Sequence, residues 1–208
     1  MLKKILVLNY TMTLVTGLHI GGSSDTFDIG GADSTVIKNP LTKEPYIPGS
    51  SLKGKIRSLL RRRYGLDNNI IRNLFEPVEK NDSGSFADTR ILFRDAVLTN
   101  ESKEKLKRHL GEGVFTEIKA ENSINPLTGK AKDPRFIERV PANTEFEGQF
   151  VLQVYEGDPE EEMKNYLIEG LKLLELNYLG ASGSRGYGRV KFTSPIFEKE
   201  DPFKEEVF

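Results

Sequence analysis

Residues 46–63 read YIPGSSLKGKIRSLLRRR, and the fold turns on whether this stretch wraps a phosphate or lies down as a helix. From Gly49 to Ile56 it matches the phosphate-loop pattern G-x-x-x-x-G-K-[ST] at every position but the last. That last position carries the hydroxyl that ligates magnesium, and here it is Ile56. Leu52, Ile56, Leu59 and Leu60 recur at helical spacing, while Pro45 and Pro48 stand where a buried parallel strand should lead in. The spacing predicts an amphipathic helix capped by Ser50 or Ser51 and stopped near Gly65, which argues against a nucleotide-binding parallel α/β fold.

On the helical wheel Lys53, Arg57 and Arg61 follow one another along one edge of the apolar stripe, and Lys55 and Arg62 lie along the other. With Arg63 they fall between Ser50 and Gly65 without one acid. An ordinary solvated helix can look like this, but the self-repulsion is relieved beside a polyanion. The helix start at Ser50 and Ser51 offers backbone donors to a phosphate. A second glycine and arginine constellation, LGASGSRGYGRVKF, spans 179–192. Its glycines raise the entropy of the unfolded chain, so they imply either a tight turn or a close approach of backbone to ligand. Arg185 and Arg189 supply charge there, and Tyr187 a stacking face.

Working outward, ILVLNYTMTLVTGLHI (5–20) reads as a strand that breaks at Gly21 and Gly22. A short helix is expected over 70–76, a polar loop over 78–88, a strand over 91–99 and a helix over 101–110. Residues 117–144 suit a protruding arm. A strand (146–155), a helix (160–176) and a strand (186–197) close the chain. Stripped of insertions, at about 23–45, 66–90 and 117–144, the order is strand, helix, strand, strand, helix, strand. That predicts one α+β domain over 1–208 with a ferredoxin-like core, the arrangement of the RNA-recognition motif.

The chain has 208 residues, 37% hydrophobic and 29% charged, with a formal net charge of −1, so only local charge speaks of a polyanion. The tail 196–208 is locally acidic. Without cysteine there is no disulfide framework or thiolate zinc site, and two histidines, His19 and His109, make no metal cage; any metal must be held by oxygen. No window approaches the ~20 apolar residues of a membrane helix, and Ile5–Leu8 is too short for a signal sequence, so a cytoplasmic protein without a membrane partner is expected.

The segments TGLHIGG (16–22), IGGAD (29–33), VIKNP (36–40), YIPGSSLKGKIRSLL (46–60), LFRDA (92–96), IERVP (137–141) and LELNYLGASGSRGYGRVKF (174–192) resemble the RAMP backbone subunits of type III-A CRISPR (Csm) interference complexes. The resemblance spans nearly the whole chain. It implies a modified RNA-recognition fold that polymerises along a CRISPR guide RNA beside other Csm subunits. The arm from about Glu121 to Arg139 resembles a thumb that kinks the guide–target duplex. Next to each kink the family cleaves target RNA with a divalent metal, Mg2+ or Mn2+, through a loop aspartate, here Asp33, which would hold the ion through water. RNA contacts are implied at His19, Ser50, Ser51, Lys53, Lys55, Arg57, Arg61, Arg139, Gly183, Ser184, Arg185 and Gly186. Relatives often carry I-D-R in the thumb where this chain has Ile124-Asn125-Pro126.

Read without the resemblance, Asp33 shares a polar loop with Asp25 and Asp28, where an aspartate serves as a turn-former as readily as a catalyst. The chemistry fits RNA, which is cut by its own 2′-hydroxyl once the strand is bent in line. The expected function is a guide-RNA-binding subunit that is also a metal-dependent endoribonuclease. The alternatives are a non-catalytic RNA-binding subunit and a metal-independent guide-processing nuclease.

Overall fold

The computed structural model describes residues 1–22, 32–80, 85–87, 89–193 and 203–206. Asp25, Asp28 and most of the acidic tail lie outside the described residues. Strand β1 (Leu2–Leu14) alternates as a half-buried strand must, turning Leu6, Leu8, Tyr10, Met12 and Leu14 to one side. β1 pairs antiparallel along its length with β8 (Glu145–Tyr155). Beyond β8 lie β4 (Ile91–Phe93) and β5 (Val97–Leu98); beyond β1 lie β9 (Val190–Thr193) and β10 (Lys204–Glu206). The order β9-β1-β8-β4, antiparallel throughout, is that of the ferredoxin-like core.

Helices α1 (Gly49–Tyr64) and α4 (Glu160–Glu175) cover one face of this sheet. Leu52, Ile56 and Leu60 from α1 meet Met163, Leu167, Leu171 and Leu174 from α4, closing a core with the inward residues of β1 and β8. Leu52, Ile56 and Leu60 are wholly buried, which accounts for the failure of the phosphate-loop reading. The whole of GSSLKGKI is helix, with Gly54 in its middle.

The start of α1 differs from expectation. Its N-cap is Pro48, without a side-chain cap, and Ser50 and Ser51 sit inside the first turn. The capping oxygen comes from far along the chain: Asp95 Oδ1 accepts the Gly49 N–H at 2.7 Å. The Ser51 N–H turns back to the Pro48 carbonyl at 2.9 Å. Gly49 is buried against the Phe93 and Arg94 backbone, a space that only glycine fits.

The remaining elements are insertions. α2 (Asn69–Phe75) is capped by Asn68, and α3 (Asn100–Leu110) by Thr99. Where a polar loop was expected, Val78–Lys80 (β2) and Ser85–Ala87 (β3) pair as a short ribbon. The expected arm is a two-stranded hairpin of β6 (Glu117–Ile124) and β7 (Ala131–Arg139). Its outer part is exposed on both faces, so it shows no hydrophobic period. Replacing Gly49 with alanine should drive α1 off the β4–β5 corner and destabilise the fold by about 1–3 kcal/mol in denaturant titration.

Candidate nucleic-acid interface

After β1 the chain runs as a seam between three elements. Leu18 exchanges both main-chain hydrogen bonds with Val140, at 2.9 and 2.8 Å. The Ile20 carbonyl takes the Ile37 N–H at 2.9 Å, bringing residues 33–38 alongside. Those residues then lie parallel to β7, with Ser34 beside Ile137. Asp33 is tied there twice: its N–H donates to the Phe136 carbonyl at 2.9 Å, and its Oδ2 accepts the Phe136 N–H at 2.7 Å. The carboxylate stays exposed, and Oδ1 has no partner among the described residues.

A buried network underlies this placement. Glu138 is 7% exposed and accepts from the Val36 N–H at 2.9 Å, from the Thr116 hydroxyl at 2.6 Å and from the Lys38 ammonium. Burial works against its charge, but these hydrogen bonds outweigh it and hold the carboxyl below the ordinary carboxylate range. His19 is 5% exposed, with Nδ1 at 2.6 Å from the Glu138 carbonyl oxygen and Nε2 at 3.0 Å from the Ser34 hydroxyl. A carbonyl can only accept, so Nδ1 carries a proton, and in the neutral ring Nε2 accepts from Ser34. Both ring nitrogens of His19 are thus engaged inside the protein, which gives the ring a positioning role between Glu138 and Ser34.

The glycine-rich loop joins the same seam. Gly188 donates to the Gly17 carbonyl at 2.9 Å with φ +70, and Ala181 to the His19 carbonyl at 2.9 Å. Gly183–Arg185 form a 3-10 turn, and the Tyr178 ring packs so closely on Gly183 that a Cβ there would collide with it. Lys55 of α1 sets its ammonium 3.4 Å from the Tyr178 ring centroid, so the two cation-bearing segments meet through this tyrosine. Burial, then Arg62, pulls the Lys55 pKa down. Arg185 reaches Glu121 of the hairpin at 3.4 Å and the Ser182 hydroxyl at 2.7 Å; Arg139 pairs with Glu117 at 2.6 Å and lies 5.2 Å from the Tyr187 ring. Gly186 and the exposed Ser184 complete the turn.

Tyr187 corrects the expectation of a free stacking face: it is 1% exposed, beneath Lys119 and Arg139. Burial, reinforced by Glu121, pushes its hydroxyl up to about 12. Arg57 and Arg61 face the other way, sharing Glu76 at the end of α2 with Arg72, and Arg63 pairs with Glu169. The helix thus acquires through tertiary contacts the acids that its own sequence lacks. Lys53 and Arg62 have no ion-pair partner among the described residues, and burial, followed by Arg57, lowers the Lys53 pKa. At Ser50 and Ser51 the expected phosphate donors are reduced, because Asp95 and Pro48 already take the N–H groups of Gly49 and Ser51.

No cluster of three acid or histidine side chains exists among the described residues, so any metal at Asp33 would have few protein ligands. A cleft of about 530 Å3 between β1, β8 and Arg94–Asp95 shares no lining residue with the surface at Asp33. No described helix is long and apolar enough to cross a membrane.

This chain belongs to the RAMP superfamily, which it matches over residues 11–191. More particularly, it is 42% identical over 208 residues to the CRISPR system Cms endoribonuclease Csm3 of Mycobacterium tuberculosis, covering 88% of this chain and 84% of that one. The enzyme of the same name from Streptococcus thermophilus is 44% identical over 190 residues, covering 86% and 83%. Among solved structures, the Csm3–Csm4 subcomplex of a type III-A CRISPR-Cas interference complex superposes with a TM-score of 0.58 at 29% identity, covering 99% of this chain and 89% of that one.

Glu138, absent from the expected site, makes the network testable. Glu138→Gln should cost about 1–3 kcal/mol at neutral pH by denaturant titration, since it weakens hydrogen bonds to a charged acceptor. A depressed native pKa contributes stability that is full above the unfolded value of about 4.3 and is lost as pH falls through the native one. The two proteins should therefore converge in acid; a pH-independent gap would show that the charge is not what holds the segment.

Proposed function

We propose that this chain is a backbone subunit of a type III-A CRISPR (Csm) complex that binds guide RNA, assembles with further copies of itself and other Csm subunits, and cuts target RNA paired to the guide. It would work in the cytoplasm with Mg2+ or Mn2+. The likeness to Csm3 endoribonucleases supports the activity. The observation that carries the reading is the exposed Asp33 carboxylate, tied through one oxygen to the arm-like hairpin and open at the other.

The reaction requires the 2′-oxygen of one nucleotide to attack the adjacent phosphorus as the bond to the 5′-oxygen breaks. Its products are a 2′,3′-cyclic phosphate and a 5′-hydroxyl. Held in line, the attack is effectively unimolecular, so fixing the strand is the larger part of catalysis. Asp33 Oδ1 would accept the 2′-hydroxyl proton, while water returns one to the leaving oxygen. A hard, exposed carboxylate fits Mg2+, which keeps most of its waters, and the bound ion would supply charge against the phosphate oxygens. Lys53, Lys55 and Arg62, which form no ion pair among the described residues, are left to hold the guide backbone.

Asp33→Ala should leave assembly and target binding intact while cut products disappear from a denaturing gel, and EDTA should reproduce the loss in the unaltered protein. Undiminished cutting by the variant would favour a purely structural subunit. With three phosphates neutralised, single-stranded RNA affinity should fall with salt at a log-log slope of about −2. Gly54→Ala should stabilise the fold by roughly 0.5–1 kcal/mol, because a Cβ there meets nothing and alanine favours the helix. The same change should weaken RNA binding in a filter assay.

A further inference from the structure

Phe136 supplies the two main-chain groups that hold Asp33, yet its own ring is 47% exposed. In the β6–β7 register Phe136 stands opposite Ala120, and Ile118 stands opposite Glu138. Phe136, Ala120 and Ile118 therefore share one face of the hairpin with Glu138, which is buried at its root and leaves the three apolar residues outside it. Ala120 is too small to cover the ring, and Ile118 is itself 60% exposed. The core lies on the other elements, and no described aromatic ring stacks on Phe136. An apolar shelf is thus fixed, by two hydrogen bonds, to the segment that carries the carboxylate.

We infer that the Phe136 ring is the stacking platform for the nucleobase next to the bond cut at Asp33, an assignment that rests on the function proposed above. In-line attack needs the sugar-phosphate chain bent, and the bend takes a base out of its stack. An unstacked base requires another flat face, and an aromatic ring provides one without regard to base identity. A phenyl ring, with no donor or acceptor, suits a cut whose sequence is set by the guide. Its rigid tie to Asp33 makes it a substrate-positioning residue: the base held on the ring fixes the distance of its own 2′-hydroxyl from the carboxylate. The contrary occupant of the shelf is a neighbouring copy of the chain, for which any apolar side chain would serve.

The test uses the complex reconstituted on a guide of defined sequence, with a labelled complementary RNA under single-turnover conditions. Phe136→Ala should slow cutting by about tenfold, Phe136→Leu should be nearly as slow, and Phe136→Trp should stay within about threefold of the unaltered complex. In an Asp33→Ala complex, which keeps the RNA whole, 2-aminopurine beside the cut position should brighten when Phe136→Ala is added. An unchanged rate for Phe136→Ala, unchanged fluorescence, or equal rescue by leucine and tryptophan would overturn stacking; the last would assign the shelf to contact between copies. Cutting that survives Asp33→Ala would instead overturn the underlying function, so the two failures are told apart.

Discussion

One buried carboxylate holds together the part of this molecule that lies beyond its sheet. Glu138 takes hydrogen bonds from residues 36 and 38, just after Asp33, and from Thr116 at the root of the hairpin. A carboxylate removed from water costs several kcal/mol unless its lone pairs are filled, so the arrangement is stable only when all three donors are in place. That makes it a switch-like constraint on geometry: the segment is either docked against β7 or Glu138 is left desolvated and short of partners. His19 extends the constraint by spanning the Glu138 carbonyl and the Ser34 hydroxyl, one residue from Asp33. An exposed catalytic candidate at the end of a polar loop thereby acquires a fixed position without itself being buried.

Charge is handled in the same manner. The chain is nearly neutral, yet α1, the glycine loop and the hairpin root each carry a local group of cations. Several are held by single acids shared among them: Glu76 faces Arg57, Arg61 and Arg72, and Glu121 faces Lys119 and Arg185. Sharing leaves each cluster net positive while restricting its side chains, so an anion brought against either would meet guanidinium groups whose entropy has already been lost. Tyr178 and Tyr187 serve the same end from below, lending their ring faces to Lys55, Lys119 and Arg139.

How much of this could be read from the sequence follows from the range of the interactions. Periodicity is local, so α1, α4, β1 and β8 were legible, and their order was enough for the ferredoxin-like core. The helix start was misread because its cap, Asp95, lies 46 residues downstream, and no local pattern distinguishes it from Ser50 or Ser51. Glu138 was missed for the same reason: a glutamate in an exposed-looking hairpin shows no sign that Lys38, 100 residues earlier, will cover it. Tyr187 looked like a stacking face because aromatic residues beside arginines are ambiguous until burial is known. The β2–β3 ribbon has three residues in each strand, too few for an alternation to be detected.

The glycines separate packing from ligand binding in a way that residue type alone cannot. Gly183 is required by the Tyr178 ring, and Gly188 by a backbone that turns left-handed against Leu179. Both are explained inside the molecule. Gly54 is not: it is helical, it has open space where a Cβ would stand, and it lowers the helix's stability by about 1 kcal/mol relative to alanine. A cost with no internal return points outward: Gly54 lies between Lys53 and Lys55, and its missing side chain leaves open space on the helix between two ammonium groups. Under the function proposed above, the stretch that imitates a phosphate loop would owe its second glycine to a phosphate approaching the side of a helix rather than its end.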